Sequence, residues 1–453
     1  MIGTREIIES LGSLLRSHRA TGGERLRRVV VDSRQVRRGD LFVALPGERR
    51  DGQEFVLDAV AAGAGGLLVR ELSPEVPDGV AVFAVDDTLA ALQRLAAGRR
   101  DRRHARVIGV TGSVGKTTTK EIVAAVLGAR YRVLKNEANY NNEIGLPLTL
   151  LRLTQRHQRA VLEMGMYALG EIRTLCEIAR PEVGVVTNVG PSHLERLGSM
   201  EAIAAAKAEL VESLPPQGYA ILNADDPLVM TMAGRTRAQV LAYGASEGAD
   251  VRATDIESRG LEGVSFVLHW RGGSERVATR LPGRHIVSNA LAAAAVGLAD
   301  GMPLAEVAAA LAAAQVPLRL QVHRGRNGAT ILDDTYNASP ASMAAALDLL
   351  AEIPGRRIAL LGDMAELGAA SREGHLAMGR RAAETADIIH AVGEEAQLIA
   401  GAAREGGHGD VHHWPSKERA AAAVAADLRP DDVVLLKASR AMAFETLLDV
   451  LKE

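Results

Sequence analysis

Between Thr111 and Ile122 the chain reads TGSVGKTTTKEI. Ahead of it lies RVIGV (Arg106–Val110), an apolar run of strand length, and behind it Ile122, Val123, Val126 and Leu127 recur at helical spacing. A glycine-rich turn between a strand and a helix, carrying Gly-Lys-Thr, is the setting a phosphate-binding loop requires. Backbone N–H groups can wrap phosphate oxygens only where no side chain blocks the approach, hence Gly112 and Gly115, with Ser113, Val114 and Thr118 completing the loop. The following helix N-terminus adds unpaired donors and a favourable dipole. Lys116 is placed to reach the β- and γ-phosphates of a nucleotide, and the Thr117 hydroxyl to sit on Mg²⁺. The strict pattern wants glycine where Val110 stands, and Gly109 is one place too early, so the loop is a T-G-x-x-G-K-T variant. An ordinary glycine turn with a solvated lysine leaves both the paired glycines and the triple threonine unexplained.

A chain of 453 residues suggests about three domains at roughly 150 residues each. With 53 basic against 56 acidic residues, the net charge of −3 gives no reason to expect nucleic acid or a membrane surface as partner. Arginine greatly outnumbers lysine, which makes each lysine worth individual inspection. A single cysteine, Cys176, excludes an intramolecular disulfide and suits a reducing cytoplasm. The N-terminal MIGTREIIESLGSLLRS carries acids within its apolar portion and reads as an amphipathic helix, not a signal peptide. No apolar run approaches the ~18 residues of a membrane span.

The expected fold class is α/β. In residues 1–100, VVV (Val29–Val31), LFVAL (Leu41–Leu45), GLLV and VAVFAV read as strands, while EFVLDAVAAGA and TLAALQRLAAG read as helices. The polar turns DSRQVRRGD and PGERRDGQ at strand ends suit a phosphorylated ligand about as well as they suit plain solvated loops. GRRDRRHAR (Gly98–Arg106) reads as a charged, hinge-like run and sets a boundary near residue 100.

Residues 101–316 continue in alternating α/β fashion, which predicts a mostly parallel sheet. RAVLEM (Arg159–Met164) is a strand ending in Glu163, and EVGVVTNV (Glu182–Val189) another, followed by GPSHLERLGSM. Ligand groups in open parallel sheets gather at the carboxyl ends of strands, where Glu163, Thr187, Asn188 and His193 fall. A carboxylate there, beside a phosphate loop, is the expected second anchor for Mg²⁺; the alternative for Glu163 is a strand-end salt bridge. NEANYNNEIGLP (Asn136–Pro147) has too many asparagines for plain helix or strand and favours a loop of amide donors and acceptors. The helix EAIAAAKAELVESL carries Lys207, GVSFVLHWRGGSERVATRL reads as a hairpin, and IVSNALAAAAVGLAD carries Asn289 in its first turns. The third unit, 317–453, opens at PLRLQVHR and alternates again, in a Rossmann-like pattern without a G-x-G-x-x-G fingerprint. DDTYNASP (Asp333–Pro340) puts two acids and Asn337 at a strand end, with Ser339 as a helix N-cap.

Taken together, these residues resemble the Mur ligase family over essentially the whole chain. DSRQVRRGDLFVALPGE resembles its UDP-binding N-terminal domain, TGSVGKTTTKE its ATP loop, and NYNNEIGLPLTLL its substrate-side loop. EMGMYALGEI, TNVGPSHLERLGS, the helix with Lys207, GRHIVSNALAAAA, PLRLQ, DDTYNASP and LGDMAELG follow in the family's order. The resemblance implies a central P-loop ATPase-like parallel sheet flanked by a smaller N-terminal α/β domain and a C-terminal Rossmann-like ligase domain. It implies ATP-dependent amide formation through an acyl phosphate, and the YNASP form points to the branch that joins D-alanyl-D-alanine to UDP-N-acetylmuramoyl-tripeptide (UDP-MurNAc-tripeptide). The protein would then be a cytoplasmic monomer of peptidoglycan precursor synthesis. By motif match, Lys116 and Thr117 hold phosphate and Mg²⁺, Glu163 binds metal and His193 lies at a second metal. Lys207 matches a carbamylated lysine that bridges metals, and Asn289, Arg319 and Asp334 match nucleotide contacts. Ser33, Arg34, Asn139 and Asn142 fall in the UDP-substrate motifs. One departure is visible: where the family usually reads His-Asn-x-x-Asn, this chain has His285-Ile286-Val287-Ser288-Asn289, and Ile286 can neither donate nor accept. Rival readings are a sister ligase adding a diamino acid or lengthening folate's glutamyl tail, and a P-loop switch that hydrolyses ATP with no amine acceptor.

Overall fold

The structure, a computed structural model, describes residues 1–20, 22–47 and 49–452. Among these residues three large sheets follow one another along the chain, beside a small pairing of Ile2–Gly3 with Arg25–Leu26. The first large sheet runs Leu15–Arg19, Ala81–Val85, Gly66–Val69, Leu41–Val43, Val29–Val30, parallel except for its first pair. Its four apolar strands are those the sequence predicts.

Two segments differ from expectation. The N-terminal helix covers only Thr4–Leu11, because Gly12 turns to φ +52° and ends it. The chain then pairs Leu15–Arg19 antiparallel with Ala81–Val85 as an edge strand. LRSHR has no apolar alternation, so periodicity is silent about it. The arginine run is helical in its first half, closing the helix Thr88–Asp101, and only Arg102–Ala105 link that helix to the strand from Arg106. Arg99 is 3% exposed: its guanidinium spans both carboxylate oxygens of Glu6 at 2.9 Å and donates to Leu153 O at 2.9 Å and Met1 O at 3.1 Å. Charge there marks a rivet between the first and central sheets, which sequence alone cannot tell from a solvated face.

The central sheet has nine strands among the described residues, in the order Gly273–Thr279, Val264–Trp270, Val251–Ser258, Gln239–Gly244, Tyr219–Asn223, Val183–Val186, Arg106–Thr111, Arg159–Glu163, Val133–Lys135. It is parallel from Val133–Lys135 to Val251–Ser258 and ends in the expected hairpin, turned at Arg271 (φ +46°) and Gly272 (φ +80°). On one face the alanine-rich helix Ile286–Ala299 is buried on nearly every side against the helix Lys116–Gly128 and the strands. Alanines allow that close approach, and a larger residue there costs about 1–3 kcal/mol in overpacking. The helices Glu171–Ala179 and Met200–Glu212 cover the other face, in a core shared with Ile7, Leu92 and Leu95 of the first unit.

The third sheet runs Gln321–Arg324, Thr330–Asp333, Asp432–Lys437, Arg356–Gly362, Ile388–Val392, Val411–Trp414, parallel except for its first strand. Helices Pro340–Ala351, Ser371–Thr385 and Ala396–Glu405 cover one face and Lys417–Asp427 the other. Ser339 caps Pro340–Ala351 as predicted, its Oγ accepting from Ser342 N. Among the described residues no helix is long and apolar enough to cross a membrane.

Candidate active site

Register levels the strand ends that build the site: Glu163 lies opposite Val110, and Val186 opposite Thr111. The phosphate loop leaves the middle strand between them. Its glycines answer a steric demand. Gly112 has φ +148° and a Cβ there would stand 1.8 Å from Thr187 Oγ1, while Gly115 has φ +84° and its Cβ would stand 2.7 Å from Asn289 Oδ1. The loop is tied from behind, with Val114 N donating to Asn188 Oδ1 at 2.8 Å and Thr187 Oγ1 and Asn188 Nδ2 donating to Val114 O at 2.7 and 2.8 Å.

Lys116 Nζ folds back onto the loop's own carbonyls, donating to Gly112 O at 2.8 Å and Ser113 O at 3.2 Å. Burial pulls its ammonium down to about 8, against the opposing charge of Glu163. Thr117 Oγ1 donates to Glu163 Oε2 at 2.8 Å, and Asn141 Nδ2 to Glu163 Oε1 at 2.8 Å. Asn136 holds the backbone of the same residue, accepting from Glu163 N at 2.9 Å and donating to its carbonyl at 3.0 Å. Glu163 is therefore 1% exposed yet fully hydrogen-bonded. Asn289 Oδ1 accepts from Thr119 Oγ1 at 2.9 Å, one turn along the same helix.

A cleft of about 430 Å³ separates this loop from the third sheet, and it gathers most of the residues singled out from sequence. The central unit lines it with Ser113–Thr118, Asn142, Glu163, His193 and Asn289, and the third unit with Arg319 and Asp334. Arg319 lies over the Tyr336 ring at 4.2 Å. Asp334 pairs with Lys437, which is 1% exposed and also donates to Asn337 O at 3.1 Å. His193 has φ +59°, its ring edge-on to Tyr167 at 4.9 Å, and burial lowers its pKa despite the neighbouring Glu366. Lys207 is 2% exposed, and none of the described residues accepts a hydrogen bond from it. Burial, reinforced by the charge of Lys116, holds it well below the usual lysine range. Ile286, at 1% exposed, packs into the central apolar cluster where it borders the cleft.

Gly112 and Lys207 lie behind the cleft and do not line it, and three further expected positions lie elsewhere. Ser33 and Arg34 sit on a turn after the edge strand Val29–Val30, with Arg34 clasped to Asp32 at 2.8 Å, and Asn139 is exposed on its loop. In that asparagine loop it is Asn141 that reaches the strand-end carboxylate. Asn141, Tyr336, Glu366 and Lys437 were not singled out from sequence. The asparagine-rich loop marked Asn141 only as one amide among several, and Glu366 and Lys437 meet partners far along the chain.

The donor set fits a Mg²⁺ ion. Among the described residues no three His, Cys, Asp or Glu side chains converge as a cage, while the Thr117 hydroxyl and the Glu163 carboxylate meet at the phosphate loop. Mg²⁺ is characteristically held by one or two protein oxygens with phosphates and water completing the octahedron.

Residues 110–297 match the Mur ligase middle domain, residues 318–440 the Mur ligase glutamate ligase domain, and residues 25–100 the Mur ligase family catalytic domain. The chain belongs to the Mur ligase family. Within it, the chain is similar to the UDP-N-acetylmuramoyl-tripeptide–D-alanyl-D-alanine ligases of Bacillus subtilis (strain 168), 39% identical over 94% of this chain and 93% of that one, and of Escherichia coli (strain K12), 39% identical over 94% and 93%. Its fold superposes on the crystal structure of MurF from Acinetobacter baumannii with a TM-score of 0.88, 33% identity and coverage of 99% of this chain and 98% of that one. It likewise superposes on MurF ligase from Thermotoga maritima in complex with ADP, with a TM-score of 0.82, 32% identity and coverage of 94% and 96%.

Proposed function

We propose that this chain is the ATP-dependent ligase that joins D-alanyl-D-alanine to UDP-MurNAc-tripeptide in peptidoglycan precursor synthesis. The observation that carries the reading is the cleft itself: a phosphate loop on one wall, Arg319, Asp334 and Lys437 of a separate sheet on the other, in a chain whose whole length is similar to ligases of that name. The terminal carboxylate of the tripeptide attacks the γ-phosphorus of ATP, giving an acyl phosphate and ADP. The amine of D-alanyl-D-alanine then adds to the acyl carbon, and the tetrahedral intermediate collapses to the amide with loss of phosphate and a proton.

Phosphoryl transfer asks a protein chiefly for positioning and charge neutralisation. Lys116 leaves the loop carbonyls for the phosphates, the loop N–H groups cradle them, and Arg319 approaches from the facing wall. Thr117 and Glu163, with His193 and a carbamylated Lys207 beyond them, would hold Mg²⁺, which supplies charge neutralisation at the transferring phosphate. Ser113, Val114, Gly112, Gly115 and Thr118 shape the ATP loop, and Asn289 and Asp334 contact the nucleotide. Residues 1–100 hold the UDP portion through Ser33 and Arg34, residues 101–316 bind ATP, with Asn139 and Asn142 on the substrate side, and residues 317–453 close over the site. An acyl phosphate hydrolyses if water reaches it, so a closing third unit has a chemical purpose. The enzyme is a cytoplasmic monomer in this reading.

The test is ADP release with UDP-MurNAc-tripeptide, with and without D-alanyl-D-alanine, and mass analysis of the product. Product gained by the mass of the dipeptide less water supports the reading. Turnover only with a single diamino acid or with glutamate assigns a sister ligase, and ATP hydrolysis indifferent to any acceptor assigns a switch.

A further inference from the structure

We infer that Glu366 is the positioning residue for His193, so that docking of the third unit and orientation of that imidazole are one event. The inference rests on the reading of the cleft as a ligase active site. Glu366 Oε2 lies 2.6 Å from His193 Nδ1, across the boundary between the central and third sheets. Both residues occupy the left-handed backbone region, φ +59° at His193 and +63° at Glu366. Non-glycine residues hold that conformation only where the surroundings impose it, and such positions cluster at functional sites.

The surroundings here are two loops in direct contact. Glu195 N approaches Glu366 O at 3.5 Å, and Gly368 (φ +51°) packs so tightly that a Cβ there would stand 3.0 Å from the Glu195 backbone. The two loops are thus in backbone contact on either side of the paired side chains. Tyr167 braces the imidazole from the remaining side, its ring 4.9 Å away at 74°. Nδ1 is buried and, among the described residues, has no aligned hydrogen-bond partner. The 2.6 Å contact is therefore one of charge and proximity, which a small rotation of the ring converts into an Nδ1–H···O bond.

A carboxylate accepting from Nδ1 fixes the tautomer that leaves the Nε2 lone pair free, on a residue that lines the cleft. His193 can then offer an acceptor or ligand to what binds there, and it does so only while the third unit is docked. ATP bound to the open form meets an imidazole without its partner, which couples readiness of the site to closure.

The experiment uses the full chain with ¹⁵N-labelled histidine. Long-range ¹H–¹⁵N correlation spectra report the tautomer of each imidazole, and His193 is identified by the signal lost in His193→Gln. The expected wild-type signature, with ADP and UDP-MurNAc-tripeptide bound, is hydrogen on Nδ1; in Glu366→Ala that signature is lost and kcat falls about 10–100-fold, the usual effect of removing such a partner, with KM for ATP little changed. Glu366→Gln, whose amide oxygen can still accept, keeps the Nδ1–H tautomer and more of the turnover than Glu366→Ala. Hydrogen on Nε2 in the wild type, or an unchanged spectrum in Glu366→Ala, overturns the inference. The wild-type spectrum needs no variant, so it decides the matter even if Glu366→Ala does not fold. Failure of the ligase reading would show separately, as absent product from a wild-type enzyme whose tautomer is as expected.

Discussion

Arg319 Nη2 donates to Thr117 Oγ1 at 2.9 Å, joining the segment that opens the third unit to the first turn of the phosphate-loop helix. The same hydroxyl donates onward to Glu163, so one threonine oxygen links the two walls of the cleft. Arg319 also lies over the Tyr336 ring, and an ammonium keeps the attraction to the ring but lacks the planar stacking and the fork of donors. Arg319→Lys is therefore not conservative. Turnover should fall by about 10²–10³, or ~2.7–4 kcal/mol of transition-state stabilisation, with a smaller loss of affinity for a non-hydrolysable ATP analogue. Equal losses in both would place Arg319 in ground-state binding and end the closure argument.

Lys116→Ala should abolish measurable turnover and leave UDP-MurNAc-tripeptide binding nearly intact. Lys116 bonds only within its own loop in the central unit, whereas the proposed UDP contacts lie in the first unit. Calorimetry of the UDP-substrate with wild type and variant makes the check; a parallel loss of affinity would show the assignment of units to be wrong.

Lys207 carries the most specific chemical expectation. It is buried, without a hydrogen-bond acceptor among the described residues, and its ammonium is disfavoured by burial and by Lys116. A neutral amine can add CO₂ and become a carboxylate-like group, which suits a position facing cations. Lys207→Ala should be nearly inactive, and formate or acetate should restore part of the activity. A variant with wild-type turnover would reduce Lys207 to a packing role.

The third sheet contains a pH-sensitive contact remote from the cleft. Trp414 Nε1 donates to His390 Nδ1 at 2.9 Å, which requires that nitrogen to be unprotonated. Burial, helped by the charge of His412, lowers His390 from 6.5 to about 4. Between those values the unfolded chain takes up a proton that the folded chain refuses, so stability rises with pH across the window. This contribution is complete above pH ~6.5 and is lost as pH falls towards ~4, on the order of 3 kcal/mol at most. Urea midpoints at several pH values should decline less steeply for His390→Phe than for the wild type; parallel curves would remove His390 from the account.

What sequence could reveal followed from how local the constraint was. Gly112 and Gly115 were legible because a backbone that must approach Thr187 and Asn289 tolerates no Cβ. Glu163 was legible because strand ends collect ligand groups, and Ser339 because an N-cap is a local hydrogen bond. The loop of asparagines announced itself, but which amide reaches Glu163 is decided by a turn in space, and it is Asn141. Glu366 and Lys437 act on partners far along the chain, where no local pattern points. The edge strand Leu15–Arg19 was invisible because its side chains are polar, and the run from Gly98 misled because a buried, fully bonded arginine spells the same letter as a solvated one.

The Arg99 rivet constrains any recombination of these enzymes. A chimera exchanging the first unit at residue 100 would cut the helix Thr88–Asp101 in mid-turn and deliver Arg99 from one parent to the Leu153 carbonyl of another, while Glu6 travels with the donor. A seam placed after Arg103 keeps the helix whole, yet it succeeds only where the recipient presents a carbonyl at the position of Leu153. Elsewhere one guanidinium N–H is left buried without an acceptor, at a cost of about 1–3 kcal/mol. The first unit is inherited together with its socket.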